Sequence, residues 1–510
     1  MTLLCLTALS ARTISFCLPV NGAKYHLPAS LDWQLNELRG QTDTVVTTLD
    51  GLEPDTEYQL SIDGQELKFR TPACSGLVRI DDHGACPGGH DIADRAAANA
   101  RAFTRAIAAT PPGGTVLIPE GRWICGPVAL RSDLTVLLRG DLIAPSDRNN
   151  WPILPARSHN GKMLGSWEGL PEDCFAAPLY AVGANNLTIT GNGKLDGGGD
   201  RGDWWTWPKE KRENARRPRG LHLINCNKTQ LFGFSISNAP SWTIHPQGCC
   251  NLTICDLKIH APHDSPNTDG CNPEMSQDVK IVGVRFSVGD DCIAIKSGKR
   301  GSVGEADHLT ATKRISIRHC LMERGHGGVV LGSEMSGDIT DVDISHCEMV
   351  GTDRGLRIKT RRGRGGRIDR ISFTNVTMRG VDTAFSANSY YHCDADGHDT
   401  WVQSRTPAKV SETTPYIGKI RIEDVTVSDL SHALGAFIGL PEAPIGPILM
   451  RRVSVPSYSP CAKAAPAVMA DNIRPMLHAG VASEFARVDA EPEIRMEQGG
   501  LSCQPERTTK

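Results

Sequence analysis

Apolar positions from about residue 187 onward recur in one frame: an apolar residue, a spacer, an apolar residue, two spacers, an apolar residue, a spacer, and a last apolar residue. Copies stand at 229–237, 252–260, 279–287, 315–323, 342–350, 371–379, 420–428 and 448–456. Their third positions are Leu231, Ile254, Ile281, Ile317, Ile344, Phe373, Ile422 and Met450, with steps of 23, 27, 36, 27, 29, 49 and 28 residues. A step near 25 residues made of short strands and turns is one coil of a β-solenoid, because a coil cannot bury its inner face alone and stacking does it. The sixth positions support this: Phe234, Leu257, Val284, Cys320, Cys347, Val376, Val425 and Val453 form one predicted internal stack. The steps of 36 and 49 mark inserted loops at 298–308 and 388–416, and such loops collect beside the binding face of a solenoid. The same frame disposes of a metal reading. His319-Cys320 and His346-Cys347 look like a two-His, two-Cys set, but in register each His falls on a turn position held elsewhere by Gly233, Asp256, Gly283, Asn375 and Asp424.

Outside the repeat, one helix is predicted after residue 90. Asp91 can cap it, Asp94 suits its first turn, and Ala96, Ala100, Phe103 and Ile107 form its apolar stripe. Residues 1–72 read as a small β module. The string Leu52-x-Pro54-x-Thr56-x-Tyr58 resembles the tyrosine-corner turn of fibronectin type III domains, which makes Tyr58 structural. The module is short for that fold and is predicted to lack a strand. The organisation is then 1–72 as this module, 73–460 as a parallel β-helix and 461–510 as a C-terminal extension. The fold class is all-β. Residues 1–11 are apolar and end in small residues, like a short signal peptide, but lack its positive start. The alternating text at 12–19 reads as a first strand.

Composition narrows the function. Lys plus Arg number 55 and Asp plus Glu 58, a formal net charge of −3, which excludes a globally basic nucleic-acid binder and an acidic tail protein. No stretch approaches the roughly 18–20 apolar residues of a membrane span. The 17 cysteines are odd in number and scattered, and several stand where the repeat wants a small buried residue. Reduced thiols and a cytoplasmic location are the expectation, with a secreted or periplasmic location as the alternative.

Four polar clusters lie in four successive coils: Asn267-Thr268-Asp269, Gly289-Asp290-Asp291, Gly325-His326-Gly327 and Arg357-Ile358-Lys359. Counted from the third repeat position, Asp290 and His326 share one offset, and Asp269 and Lys359 share another six residues further on. Equal offsets put residues on one strand position of stacked coils, about 4.8 Å apart per coil. Asp and Asn are common in solenoid turns, so a lone NTD triplet is ordinarily structural. Adjacent Asp-Asp is different, because like charges resist ionising together and one pKa rises. A protonated carboxyl beside an ionised one is what acid–base cleavage of a glycosidic bond needs.

In this order NTD, GDD, GHG and RIK resemble the four motifs of the polygalacturonases, glycoside hydrolase family 28. The flanks GGTVLIPEGRW (113–123), LTITGNGKLDGGG (187–199) and NAPSWTIHPQGCCNLTI (238–254) agree, and GSEMSG (332–337) with the inserts resembles the bacterial exo-acting branch. The resemblance covers about residues 80–460. It implies a right-handed parallel β-helix that hydrolyses α-1,4-galacturonosyl linkages of polygalacturonate or oligogalacturonides with inversion, without cofactor or metal. It further implies Asp290 as general acid, Asp269 and Asp291 as the pair activating water, and His326 as support for the acid's protonation state. Arg357 and Lys359 then hold a galacturonate carboxylate, with Asn267 and Tyr391 as further substrate-binding positions. Tyr390 is the alternative to Tyr391, and Trp204 and Trp205 stack on a sugar or pack in the core. The long step between GDD and GHG departs from the fungal pattern, so exo action is expected. The partners are the substrate, with no nucleic acid and no membrane, and the chain is expected to be a monomer.

Three other readings compete. A pectate lyase-like β-helix would need calcium-binding carboxylates and a basic residue for β-elimination. A non-catalytic carbohydrate-binding solenoid would bind without cleaving. The run at 354–370, RGLRIKTRRGRGGRIDR, resembles an RGG box, but such boxes belong to disordered tracts, and here the run lies inside a coil and includes RIK.

Overall fold

The computed structural model describes residues 3–18, 20–89, 93–149, 151–301, 304–458, 468–473, 480–494 and 496–498. The chain divides into two compact units. One comprises 1–167, 171–290 and 315–321, and the other 168–170, 291–314 and 322–510. Both carry the stacked parallel strands of a right-handed parallel β-helix.

In the first unit the repeat forms the ladder that its spacing predicts. Val116, Val136 and Ile189 precede the first recognised copy in one column, paired through to Leu231, Ile254 and Ile281. All six are buried, and each such side chain contributes roughly 1.5–3 kcal/mol relative to exposure. The column therefore begins three coils before the first recognised copy. A second sheet, Val128–Leu130, Leu179–Val182, Leu221–Ile224 and Ile244–Gln247, stacks in parallel on another side of the same coils. Helix Ala93–Ala109 covers the first coil, burying Ala96, Phe103 and Ile107, with Asn99 Nδ2 donating to the Ile124 carbonyl at 2.8 Å. Its expected cap, Asp91, lies outside the described residues.

Residues 3–72 form two antiparallel sheets, one of three strands and one of four. Seven strands are present among the described residues, so the predicted missing strand is not missing. Strand Cys5–Leu9 comes from the apolar start that resembles a leader. The Glu53 N–H donates to Tyr58 Oη at 2.9 Å, the backward bond expected of the corner. The module lies directly on the β-helix of this unit, with Cys17, Val45 and Val46 against Phe232 and Cys255. Gly283 has φ +66°, and a Cβ there would stand 2.3 Å from Val46 Cβ, so glycine is required at that approach.

In the second unit the ladder runs Ile344, Phe373, Ile422 and Met450, with Ala490 after it. A seven-stranded parallel sheet contains Ile293–Ile295, Val329–Gly332, Arg354–Lys359, Thr383–Asn388, Ala433–Ile438, Val481–Glu484 and Met496–Gln498. The turn position of the repeat is left-handed throughout: φ is 54° at His319, 55° at His346, 54° at Asn375 and 55° at Asp424. Asn, Asp and Gly suit that conformation, and His tolerates it. None of the fifteen described cysteines is in a disulfide, and Cys320 and Cys347 fill the sixth-position stack.

Candidate active site

In the first unit Asp269 ends a turn rather than lying in a strand. Ile244, thirteen residues after Leu231, bridges Cys271, seventeen residues after Ile254. Four extra residues therefore sit in that coil's turn. The shared offset of Asp269 and Lys359 does not mean a shared place: Lys359 lies in strand Arg354–Lys359. The long turn is braced internally. Asn267 takes φ 55° and its Oδ1 accepts from Arg217 Nη2 at 2.5 Å. Thr268 Oγ1 meets Ser265 Oγ at 2.6 Å and accepts from the Gly289 N–H at 3.2 Å, which ties the NTD and GDD segments together. A Cβ on Gly289 would stand 2.5 Å from the Ser265 carbonyl. Asp269, 3% exposed, accepts from Asn272 Nδ2 at 2.7 Å. The carboxylate oxygens of Asp269 and the half-buried Asp290 lie within 4.8 Å of each other.

In the second unit Asp291 is 1% exposed and receives Lys359 Nζ at 2.8 Å, with Arg357 Nη1 at 3.5 Å. Arg357 and Lys359 alternate with the buried Ile358, and they pair in register with Val330 and Gly332. His326 follows strand Leu321–Gly325 in a half-buried bend. Its neighbour Gly327 accepts from the Cys292 N–H at 2.8 Å, and a Cβ on Gly327 would stand 3.4 Å from Asp291 Oδ1. The bend of His326 thus lies beside Asp291. Tyr391 covers the cations, its ring centroid 5.4 Å from Lys359 Nζ and 5.8 Å from the Arg357 guanidinium. Burial pushes its phenol well above the ordinary range, against the pull of Arg357. Tyr390 turns away to the guanidinium of Arg405 at 3.6 Å.

Several groups do not stand out as candidates in the sequence. His245, fully buried, stands in register opposite Asn272, the partner of Asp269. Its Nδ1 accepts from Arg219 Nε at 3.3 Å, and its Nε2 meets Glu274 Oε2 at 2.9 Å. His222 stacks on it at 4.7 Å between ring centroids. In the second unit Lys296 and Glu334 form a buried pair at 2.7 Å. Burial alone would raise the Glu334 carboxyl, but Lys296, Arg364 and Lys359 hold it well below the usual range. Met469 Sδ accepts from Arg357 Nη2 at 3.3 Å. The only signal for His245 is its place in the flank NAPSWTIHPQG, and for Glu334 its place in GSEMSG; Met469 has none.

The tempting alternatives resolve structurally. Trp204 packs with Trp151, Phe175 and Trp207 in the core, and Trp205 donates to the Ala239 carbonyl at 3.1 Å. The arginines of the RGG-like run are ion-paired: Arg361 with Asp396, Arg362 with Glu442, Arg364 with Asp394 and Arg370 with Asp341. That is a folded, neutralised wall rather than a free basic tract.

The family model for glycosyl hydrolases family 28 matches residues 116–429. A Vitis vinifera protein named "Probable polygalacturonase" is 30% identical over 373 residues, 71% of this chain and 72% of its own length. The solved structure of an exopolygalacturonase from Thermotoga maritima is 22% identical, with a TM-score of 0.61 over 84% of this chain and 92% of its own. A family 28 exopolygalacturonase from Yersinia enterocolitica is 17% identical, with a TM-score of 0.64 over 97% of both chains. At these identities the two structures speak for the fold, and the last coverage takes in most of the N-terminal sandwich as well.

Proposed function

The chain belongs to glycoside hydrolase family 28, and from that premise we infer that it hydrolyses α-1,4-galacturonosyl linkages of polygalacturonate with inversion at the anomeric carbon. Asp290, the most exposed of the three aspartates, is the acid that protonates the leaving oxygen, while Asp269 and Asp291 hold the attacking water. One carboxylate oxygen of Asp269 and one of Asp290 lie within 4.8 Å of each other, a gap that a single hydrogen-bonded water can bridge. Arg357 and Lys359 bind a substrate carboxylate under Tyr391, which is a charge-assisted contact suited to a uronate and not to a neutral sugar. His326 supports the acid from its bend. The N-terminal sandwich we read as fibronectin type III-like.

The mode of attack is exo. The observation that carries it is the tie between the two inserts: Lys299 of 298–308 bonds Asp394 of 388–416 at 2.7 Å. The second insert also supplies Tyr391 over the two cations. Joined loops at the carboxylate-binding end wall the groove and leave room for a chain terminus. Following viscosity against reducing ends on polygalacturonate tests this. Reducing ends should accumulate as mono- or digalacturonate with a slow viscosity loss. A sharp fall at a few percent of bonds cut would mean endo action.

No helix among the described residues is long and apolar enough to cross a membrane. Of the two locations we propose the one outside the cytoplasm, since a polygalacturonate chain is cut where the polymer is.

A further inference from the structure

His392 and His398 of the insert 388–416 converge with Asp471 in a second cluster of chemistry-bearing side chains. His392 and His398 stack with ring centroids 4.4 Å apart. His398 Nδ1 lies 2.9 and 3.0 Å from the two carboxylate oxygens of Asp471. One ligand atom from each of the three residues lies within 4.8 Å of the other two. We propose that His392, His398 and Asp471 form a binding site for a first-row divalent transition metal of the zinc type.

The donor set selects that class. Two imidazoles and one carboxylate suit zinc, nickel or copper, whereas calcium and magnesium take oxygen donors. Metal–ligand bonds of about 2.0–2.2 Å put tetrahedral ligands roughly 3.3–3.5 Å apart, so spacings that are at most 4.8 Å have to close by no more than about 1.5 Å. His398 is exposed, with 64% of its side chain accessible, and its rotation supplies that movement. Three protein ligands leave a fourth position open to water.

The site is built rather than incidental. Two acids of the insert already have cations: Asp394 has Lys299 and Arg364, and Asp396 has Arg361. Gln403 fixes both halves of the triad. Its Nε2 donates to the Gly397 carbonyl at 2.7 Å, beside His398, and its Oε1 accepts from the Asp471 N–H at 3.0 Å. Such outer contacts hold ligands in place before the ion arrives. The ligands also come from two separate stretches of chain. The His392 N–H donates to the Met469 carbonyl at 3.2 Å, and Met469 Sδ contacts Arg357. A bound ion would therefore staple the segment 468–473 to the loop that carries Tyr391, over the carboxylate-binding cations.

The test uses the untagged full chain, stripped with EDTA and dialysed against micromolar zinc chloride. Wild type should retain one zinc per chain more than the His392→Ala/His398→Ala double variant. Zinc should raise its melting temperature by roughly 2–5 °C and leave that of the double variant unchanged. Gln403→Ala should keep the site but weaken it by about tenfold or more. Asp471→Asn replaces the double variant if the latter's metal-free melting point departs from that of stripped wild type. Equal zinc content in wild type and variant, or a melting shift of the same size in both, overturns the proposal. Neither readout needs hydrolysis, so the result is independent of the reading of the aspartates.

Discussion

Two pairs of histidines show how this fold divides its side chains. His319 and His346 each precede a cysteine and resemble metal ligands in the sequence, yet they have φ of 54° and 55° and belong to a column of turn residues. His392 and His398 lie in an insert with no repeat and converge on Asp471. The aspartates follow the same division. Asp256 and Asp424 occupy the turn column, while Asp269 stands at the end of a turn four residues longer than its neighbour's. In both comparisons the residue in the turn column serves the stack, while the residue off that column stands with the candidate chemistry.

The strongest way to break this comparison is Asp290→Asn. It should lower kcat on polygalacturonate by on the order of 10³-fold or more, about 4 kcal/mol of barrier, with an unchanged melting temperature. Turnover near wild type would remove Asp290 from the reaction.

On the ladder the effect should invert. Ile344 is fully buried and pairs with Phe373, so Ile344→Ala should cost about 2–5 kcal/mol of stability in denaturant unfolding. Activity per folded molecule should stay within a factor of two or so, because a stack residue touches no substrate. A specific loss of kcat without destabilisation would erase the distinction between the two regions.

The smallest effect is expected at the look-alike histidine. His346→Asn keeps a residue that tolerates the left-handed turn and should change stability by less than about 0.5 kcal/mol. It should leave kcat untouched. A large change in activity would mean that the turn column has a chemical role.

The ladder is legible in the amino-acid sequence because the repeat writes each of its positions many times over. Leu231 to Met450 recur in one frame, and the column holds in each unit. The motif residues are equally legible, and the structure groups Asp291 with Arg357, Lys359 and Tyr391, and Asp269 with Asp290. Register within the turns is not legible: the four extra residues before Asp269 have no sequence mark other than the bridge they displace. Nor are single-copy partners. Met469, Glu334 and the Lys299–Asp394 tie depend on contacts between segments 38 to 112 residues apart, which no local pattern encodes.

The most direct test of the central claim is the anomeric configuration of the first product, followed by proton NMR during early hydrolysis of oligogalacturonate. With Asp290 as acid and Asp269 and Asp291 as the water-holding pair, the new reducing end should appear as the β-anomer and only later mutarotate. Release of the α-anomer would make one aspartate a nucleophile. An unsaturated product would make the chemistry an elimination, and either result would contradict the account.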